Sequence, residues 1–360
     1  DDRHGLSECP DPSDCRHTRI GMLAMILPWL LCATSHWSPW EAVAHFRWEG
    51  ERMSVLMEDA APPCGSERGF AQMTFGVISR TIAPNAMANS SVIVLIGDVL
   101  PDNKLHWSVR ADPCVVKTVV FTKMVDWHCA VLAPTPMEVL FGNGVGYVKQ
   151  VVNEVSAAVG QPWDVLSNQI FWRGAHHRPQ SCARLLNKGE RDPRGFIVKL
   201  SKTIPWLNAS YEHAPRSVFL QHRYLLEVGG SACTTWDALR WKLASGRLIF
   251  KVTMPAIDWF QTFLEPWVHY IPVAANMSDL KELWEWAEAH PGHAQRIAAA
   301  GAQIGGHTPP GLASKDFAAA LEAAKVPAIW EEGVGERLRH CHHGACEDAD
   351  NKVDDCRDFD

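Results

Sequence analysis

Arginine, glycine and hydroxyl-bearing residues follow several apolar runs of this sequence, and these residue types suit the binding of a phosphate group. Arg173 and Gly174 come directly after the apolar pair Phe171 and Trp172. A guanidinium can hold a diphosphate through its planar fork of N–H donors. The alternative for Arg173 is a structural salt bridge with a neighbouring carboxylate. The sequence therefore offers a first candidate anion site at Arg173.

A second candidate anion site is the segment from Gly229 to Thr235, in which glycines and hydroxyls precede a predicted helix. Free backbone N–H groups and the helix dipole favour an anion at a helix N-terminus. Thr234 and Asp237 stand in capping-box positions for that helix. The segment matches neither GxGxxG nor GxxxxGK[ST]. It therefore predicts anion binding without identifying the ligand.

These residues need a scaffold, and the alternation of helical and strand-like segments from residue 69 onwards predicts an α/β fold. In doubly wound sheets, ligands bind beyond the carboxyl ends of the strands. We expect function at the residues that follow strands, namely Asp98, 126–129, 173–184, 229–237 and Lys251. The predicted strands are 91–96, 115–121, 169–172, 196–200, 224–228, 247–252 and 268–273, and the predicted helices are 69–83, 145–159, 234–244, 278–289 and 314–324.

The chain of 360 residues is long enough for two domains, each with its own core. We predict an N-terminal domain over 41–160, a C-terminal domain over 161–330 and a polar tail over 331–360. Within residues 1–40, the uncharged run 20–33 indicates either a signal-peptide core or an apolar helix. That run is too short to span a bilayer. If the chain contacts a membrane, we expect the contact to be through this segment.

The charge, the cysteines and the glycosylation sequons narrow the class of protein. A formal net charge of −7 argues against a nucleic-acid-binding surface. Eleven cysteines without a CxxC pair argue against a zinc ribbon. Sequons at Asn89, Asn208 and Asn276 suit a lumenal protein. The histidines and cysteines between 340 and 346 could suit a metal site, but their cysteines are expected to form disulfides instead. No metal is expected.

Five blocks of sequence, in order and with similar spacing, resemble the protein O-glucosyltransferase family, which is glycosyltransferase family 90. The resemblance covers residues 165–305 and, more loosely, 64–160. It implies a GT-B-like fold in which two Rossmann-like, doubly wound domains face a cleft. The N-terminal domain would lie on the acceptor side, and the C-terminal domain would hold the nucleotide sugar. The blocks are FWRG at 171–174, YLL at 224–226 with its glycine turn, LASGRLIFK at 243–251, PWVHYIPV at 266–273 and SDL at 278–280.

The resemblance also implies a reaction, which is the inverting transfer of glucose or xylose from UDP-glucose or UDP-xylose to a protein serine or a glycan hydroxyl. It would run in the lumen of the endoplasmic reticulum or Golgi, in a monomer and without a metal or other cofactor. Asp98 stands at the position of the general base, with Asp112 as a rival, and Arg178 could replace Arg184 in the donor site. The implied donor-binding residues are Arg173, Gly174, Arg184, Gly230, Thr234, Thr235 and Arg240.

Three positions depart from the family pattern. Ala238 stands where a phosphate-binding arginine is expected, and the nearest arginine is Arg240, two residues later. Asp237 places a negative charge beside the expected diphosphate, and Cys129 replaces a common aspartate. These departures favour an alternative reading, a catalytically inactive member that binds glycans or glycoproteins. A nucleotide-sugar epimerase or dehydrogenase is disfavoured because the chain lacks GxGxxG and a Tyr-x-x-x-Lys pair.

Overall fold

The computed structural model describes residues 41–49, 52–58, parts of 74–82, 84–97, 118–124, 130–158, 160–175, 193–230, 233–327 and three short strands after residue 340. Over these ranges the chain forms two larger β-sheets packed with helices, which confirms the predicted mixed α/β class. Among the helices in these ranges, none combines the length and the apolar character required to cross a membrane.

The first sheet is mixed, with an antiparallel hairpin added to a parallel Rossmann-like part. Its strand order is β2-β1-β3-β4-β6, and Val326–Pro327 pairs with β3 as well. Strand β1 runs antiparallel to β2 and β3, whereas β3, β4 and β6 are parallel. The hairpin was not predicted. The strands of this part of the chain are β1 Glu41–Glu49, β2 Arg52–Glu58, β3 Ser90–Gly97, β4 Thr118–Val120, β5 Thr122–Met124 and β6 Ala130–Leu132.

The second sheet consists, in the described residues, of five parallel strands in the order β8-β7-β9-β10-β12. The chain begins this sheet at β7, adds β8 on one side, and then adds β9, β10 and β12 on the other. The order therefore reverses between β7 and β9, which is the topological switch point of such a sheet. Its strands, with β11, are β7 Ser167–Arg173, β8 Leu207–Ser210, β9 His222–Glu227, β10 Leu248–Val252, β11 Ala256–Asp258 and β12 Ile271–Val273.

Several helices begin at a proline, and one of them also has a side-chain cap. Thr135 caps the first one, because its hydroxyl accepts a hydrogen bond from the Glu138 N–H at 3.2 Å, and Pro136 follows at the first helical position. Pro291 opens another helix in the same way. The helices are α1 Pro136–Gly142, α2 Tyr147–Ala157, α3 Pro193–Leu200, α4 Arg216–Phe219, α5 Trp236–Ala244, α6 Leu280–Ala289, α7 Pro291–Gly306 and α8 Leu312–Ala324.

The central strands of the second sheet are buried on both faces, which explains why they read as continuous apolar runs. Phe171 and Ile249 face a core that also contains Leu239 of α5. The same core extends to Val92 and Val119 of the first sheet, so the two sheets share one apolar interior. The opposite face of the second sheet packs against α3 and α6 through Ile170, Tyr224, Phe250, Ile197 and Leu280.

The predicted strand over 196–200 is wrong, because these residues form the end of helix α3. Pro193 is the first residue of α3, and Pro193 and Ile197 are its buried positions, four residues apart as on one helical face. The short apolar run Phe196–Val198 suits a buried strand and a buried helix equally well. The strand that lies next to β7 is β8, which follows α3 along the chain.

The prediction of a strand over 268–273 is wrong in its first half. Only Ile271–Val273 is extended, and Val268 is 43% exposed in the preceding turn. Besides α3, the helices α1, α4 and α7 were not predicted. The strands expected at 91–96, 169–172, 224–228 and 247–252 and the helices expected at 145–159, 234–244, 278–289 and 314–324 are confirmed within three residues of their ends.

Candidate functional site

The carboxyl ends of β7 and β9 meet at the switch point of the second sheet, and two predicted site segments follow these strands. Arg173 ends β7 and Gly174 comes next, while the turn Gly229–Thr235 follows the end of β9 by one residue. Because neighbouring parallel strands end at the same edge, the fold brings the two segments side by side. We call this edge the switch-point site.

Gly229 is the glycine that the packing of the turn requires. A Cβ atom at Gly229 would lie 2.6 Å from Met254 Cε and 2.9 Å from the carbonyl carbon of Cys233. At Gly230 the nearest atoms to a Cβ would be Thr234 O at 3.5 Å and an Arg194 nitrogen at 3.6 Å, which are ordinary contacts. The packing around Gly230, the predicted donor-binding glycine, would therefore accommodate a Cβ atom, and a guanidinium lies next to it.

Backbone hydrogen bonds join the described residues of the turn. The Gly230 N–H donates to Thr234 O at 2.6 Å, and the Cys233 N–H donates to Gly230 O at 3.1 Å. Cys233 is disulfide-bonded and has a φ of 56°, in the left-handed region. Thr234 is 1% exposed, and its hydroxyl has no hydrogen-bond partner among the residues that the structure describes. The described ends of the turn are thus joined by two backbone hydrogen bonds, and the buried hydroxyl of Thr234 lies beside them.

The predicted capping box at the start of helix α5 is wrong. Thr235, not Thr234, is the N-cap residue, and its side chain makes no capping hydrogen bond. The Thr235 hydroxyl instead accepts a hydrogen bond from Gln261 Nε2 at 3.2 Å and lies 3.5 Å from Asp258 Oδ2. No side chain caps this N-terminus, and the carboxylate of Asp237 is the negative charge that the first turn of α5 itself supplies to the helix dipole.

Arg173 folds back along the sheet at the switch-point site. Its Nη1 donates to the backbone oxygens of Trp172 at 2.8 Å and Asn208 at 2.9 Å, and its Nη2 donates to Asn208 Oδ1 at 2.8 Å. The guanidinium carbon lies 4.2 Å from the centre of the Phe171 ring. Burial lowers the pKa of Arg173, and the negative charge of Glu212 opposes this shift. Diphosphate binding by Arg173 stays a prediction, and it would use N–H groups outside these three bonds.

The packing of the neighbouring Trp172 ring leaves no room for a side chain at Gly174. A Cβ atom at Gly174 would lie 2.5 Å from Cζ2 of Trp172, and the ring of Trp172 is 1% exposed. Any larger residue would have to displace this buried indole. Packing against Trp172 therefore explains why position 174 requires glycine. A contact of Gly174 with the donor stays a prediction.

Arg240, predicted in the donor site, is fully buried and bound to a carboxylate of helix α1. Its Nε donates to Glu138 Oε1 at 2.9 Å and its Nη2 to Oε2 at 2.5 Å. The guanidinium lies between two aromatic rings, 4.3 Å from the centre of Phe141 and 3.8 Å from that of Phe260. A phosphate would have to displace Glu138. The donor role of Arg240 stays a prediction, and the geometry gives the side chain a structural role.

Asp237 faces the interior beside that ion pair. Its carboxylate accepts a hydrogen bond from its own backbone N–H, while burial raises its pKa. It lines a cavity of about 10 Å³, the size of one water molecule, together with Glu138 and Asp258. The carboxylate of Asp237 is therefore hydrogen-bonded by its own backbone and borders a small cavity. The adjacent Ala238 leaves the first turn of α5 without a basic side chain.

Buried charges of both signs lie below the glycine turn, on β9, β10 and α5. Lys242 Nζ donates to Glu227 Oε2 at 2.6 Å and to Leu226 O at 3.2 Å. Lys251, at the end of β10, is 9% exposed. Burial lowers the pKa of Lys251, and the charges of Asp258 and Glu227 oppose this shift. The carboxyl edge of the sheet thus combines charged groups in a largely dry setting, where their interactions are strengthened.

The titration of Asp258 leads to a prediction about stability. Burial raises the pKa of Asp258 to about 6, although hydrogen bonds from Gln261 at 2.7 and 3.0 Å oppose the rise. The folded chain therefore keeps this proton to higher pH than the unfolded chain. Its contribution to stability is complete below about pH 4 and is lost as the pH rises through about 6.

We expect the Asp258→Asn variant to lack this dependence. The free energy of unfolding of the wild type, minus that of Asp258→Asn, should fall by roughly 3 kcal/mol between about pH 4 and pH 7. Urea titrations of both proteins across this range measure the difference. Gln261 can rotate its amide to accommodate the new side chain, because its Oε1 has no partner in the described structure. A difference that does not change with pH would contradict the prediction.

Several predicted residues lie outside the residues that the structure describes. They are the base candidates Asp98 and Asp112, the arginines Arg178 and Arg184, and Cys129. In the described ranges, no group of three or more histidine, cysteine, aspartate or glutamate side chains is arranged to hold a metal ion. The predicted residues that the structure does bring together are Gly230, Thr234 and Thr235 on one turn, with Arg173 and Gly174 on the adjoining strand end.

Sequence reasoning missed Arg194, Glu138, Asp258 and Gln261. Arg194 was missed because the run after it was interpreted as a strand, although Pro193 is a signal for the first residue of a helix. Glu138 is 102 residues away from its partner Arg240, and no local pattern indicates such a pair. Asp258 and Gln261 form a short-range polar pair, but nothing in their spacing marks the pair as buried.

Comparison with known proteins shows the family of the chain. Residues 124–305 match Glycosyl transferase family 90. Protein O-glucosyltransferase 1 of Rattus norvegicus is 28% identical over 230 residues, which is 57% of each chain. Protein O-glucosyltransferase 3 of Homo sapiens is 33% identical over 203 residues, 54% of this chain and 39% of its own. For protein O-glucosyltransferase 2 of Danio rerio the identity is 28% over 167 residues, 44% of this chain and 33% of its own.

These matches span between a third and somewhat more than half of the relatives' own lengths. The family match covers β6, the whole second sheet, the glycine turn and helix α7 except its last residue. It therefore includes both strand ends of the switch-point site. On this match, which extends over half of its length, the chain belongs to glycosyltransferase family 90.

Proposed function

We propose that the chain is an inverting glycosyltransferase that moves glucose or xylose from a UDP-sugar to a serine of a protein or a hydroxyl of a glycan. The observation that carries this proposal is the switch-point site, where the glycine turn and the N-terminus of α5, which has no side-chain cap, lie beside the end of β7. Family membership and the names of the similar proteins support the reaction type.

The donor would bind with its diphosphate against the turn Gly229–Thr235. Backbone N–H groups, the positive end of the α5 dipole and the hydroxyl of Thr234 favour an anion there. Gly230, Thr235, Arg173 and Gly174 border the same edge, and Arg184 is proposed to join them. These groups would stabilise negative charge on the departing diphosphate, so the proposal includes no metal ion.

The transfer would occur in one displacement. Asp98, which follows β3 in the sequence, would take the proton of the acceptor hydroxyl. The acceptor oxygen would form a bond to the anomeric carbon while the bond from that carbon to the diphosphate oxygen breaks and UDP leaves. Because the attack comes from the face opposite the leaving group, the configuration at the anomeric carbon would invert.

A GT-B-like arrangement is part of the proposal, with the first sheet on the acceptor side and the second on the donor side. The proposal also includes a monomer. A location in the lumen of the endoplasmic reticulum or Golgi fits the sequons. Of their asparagines, Asn89 and Asn276 are exposed, whereas Asn208 is hydrogen-bonded to Arg173.

A donor panel tests the proposal. The purified chain is incubated with UDP-glucose, UDP-xylose, UDP-galactose or GDP-mannose, and the midpoint of thermal unfolding is measured with increasing donor. A donor that binds the folded state raises the midpoint progressively above its dissociation constant. We expect UDP-glucose or UDP-xylose to raise it and GDP-mannose to leave it unchanged. An unchanged midpoint with every UDP-sugar would contradict the proposal.

A second candidate function is the binding of a glycan or glycoprotein without catalysis. The observation in its favour is that the first turn of α5 carries Asp237 and Ala238 and no arginine, while Arg240 is paired with Glu138. Release of free UDP from the donor, with or without an acceptor, separates the two functions. A transferase releases UDP, and an inactive binding protein releases none.

A further inference from the structure

We infer that Asn276 is the sequon asparagine that carries an N-linked glycan, whereas Asn89 and Asn208 are left unmodified. The inference rests on the lumenal location in the proposed function, because such glycans are attached to chains in the secretory pathway. It assigns a modification of the chain itself, separate from the donor site. The three sequons are Asn89-Ser90-Ser91, Asn208-Ala209-Ser210 and Asn276-Met277-Ser278.

The sequon at Asn276 lies in the turn between β12 and α6, after the last residue of an outer strand of the second sheet. Asn276 and Ser278 are both exposed. These are the two side chains of the sequon that the glycosylating enzyme recognises, the asparagine as acceptor and the serine through its hydroxyl. Both can therefore be reached from solvent in the folded chain.

Hydrogen bonds hold this turn in a defined shape. The Met277 N–H donates to Ala274 O at 2.8 Å, and Met277 has a φ of 56°, in the left-handed region. Its side chain is 4% exposed and packs in the core with Leu280. The Ser278 N–H donates to Asn276 Oδ1 at 3.1 Å, an Asx turn. This bond engages the amide oxygen of Asn276 and not the amide nitrogen, which is the atom that receives the sugar.

Asn208 is in the opposite situation, because its side chain is used by the fold. It lies in β8, and its backbone pairs with Phe171 of β7. Its Oδ1 accepts a hydrogen bond from Arg173 Nη2 at 2.8 Å, and its Nδ2 lies 3.4 Å from Gln169 Oε1. A glycan on Nδ2 would have to displace these partners. We therefore expect the folded protein to carry no glycan at Asn208.

In the sequon at Asn89, the asparagine is exposed but the serine is not. Asn89 has a φ of 54° and is followed by the first residue of β3. Ser91 is 2% exposed, and it pairs with Arg47 of β1 and with Val326. Its hydroxyl would become accessible only if β3 left the sheet. Of the three sequons, only the one at Asn276 thus presents both side chains on the folded surface.

The modification is a glycosyl transfer to the amide nitrogen of Asn276. This nitrogen forms a bond to the anomeric carbon of the first sugar of a lipid diphosphate-linked oligosaccharide, which the lumen of the host cell supplies. The bond between that carbon and the diphosphate oxygen breaks, and the lipid diphosphate leaves with the electron pair. The amide nitrogen loses one proton, and nothing is oxidised or reduced.

Site mapping of the secreted chain tests the inference. The full chain is expressed in a eukaryotic cell line behind an added secretion signal and purified from the medium. Treatment with peptide N-glycosidase in heavy-oxygen water converts each glycosylated asparagine to a labelled aspartate, which peptide mass spectrometry locates. We expect label at Asn276 and none at Asn89 and Asn208. The treatment should also increase the mobility of the chain on a denaturing gel.

Substitutions of the sequon serines provide matched controls. Ser278→Ala should abolish the mobility change, whereas Ser278→Thr should keep it, since threonine completes a sequon as well. Both variants keep the turn, because the bond to Asn276 comes from the backbone N–H of Ser278. Ser91→Ala and Ser210→Ala destroy the other two sequons, and both should leave the mobility change as in the wild type.

The outcomes separate this inference from the proposed function. An unlabelled Asn276, or label at Asn89 or Asn208 equal to that at Asn276, would overturn the inference. A mobility change that persists in Ser278→Ala would overturn it too. Because the added signal places the chain in the lumen whatever its native location, these results would leave the proposed location and transferase activity standing. Failure of the chain to bind any UDP-sugar would overturn the proposed function and leave the glycan site in place.

Discussion

Replacing Asp98 by asparagine is expected to lower the rate of sugar transfer by about 10²–10⁴-fold, the usual contribution of a positioned general base. Asparagine is close in size to aspartate but cannot accept the proton of the acceptor hydroxyl. Because the base acts on the acceptor and not on the nucleotide, UDP affinity should stay within twofold of the wild type. Steady-state transfer from UDP-glucose or UDP-xylose and calorimetric titration with UDP measure the two quantities.

Asp112→Asn is the matched control for this experiment, since Asp112 is the rival base candidate. We expect this variant to keep most of the transfer activity. Full activity in Asp98→Asn together with a large loss of activity in Asp112→Asn would show that Asp112 is the general base. Full activity in both variants would remove both carboxylates from the reaction.

Replacing Arg240 by methionine is expected to lower the free energy of unfolding by about 3–5 kcal/mol, the usual cost of removing one partner of a buried ion pair. Arg240 is 0% exposed and Glu138 is 7% exposed, so the variant would leave a carboxylate in the interior without its cation. Asp237 and Asp258 line the same cavity, and their negative charge would add to the cost. Guanidinium chloride titrations of wild type and variant measure the difference.

The double variant Glu138→Met with Arg240→Met separates structure from donor binding. Removing both side chains leaves no unpaired charge, so much of the lost stability should return. If Arg240 has the structural role that its geometry indicates, the folded double variant should bind UDP within twofold of the wild type. A loss of less than about 1 kcal/mol in the single variant would contradict the structural role. A hundredfold loss of UDP affinity in the stable double variant would place Arg240 in the donor site.

The parallel strands of the second sheet were the most predictable part of the fold. Residues 224–226 and 248–250 are apolar on both faces, and such runs indicate strands buried between helices. The run 196–200 was misassigned because five residues are too few to distinguish a period of 2 from one of 3.6. The signal that would have corrected it is Pro193, which stands at the first helical position.

The candidate site was predictable in its location but less so in the contacts of its side chains. The position of the glycine turn follows from the strand order, and the sequence indicated the turn correctly. The pairing of Arg173 with Asn208 and that of Arg240 with Glu138 join residues 35 and 102 positions apart. Such contacts depend on how the elements pack, and no spacing rule within one element predicts them.

Hydrogen–deuterium exchange of the wild-type chain, with and without UDP, tests most directly whether the nucleotide binds at the switch-point site. We predict slower exchange on UDP binding in peptides that cover 227–236 and 171–175, the two segments at the carboxyl ends of β9 and β7. Peptides that cover 163–167 and 220–223, at the amino edge of the same sheet, should exchange at unchanged rates. Protection confined to the amino edge, or no protection by saturating UDP, would contradict the account.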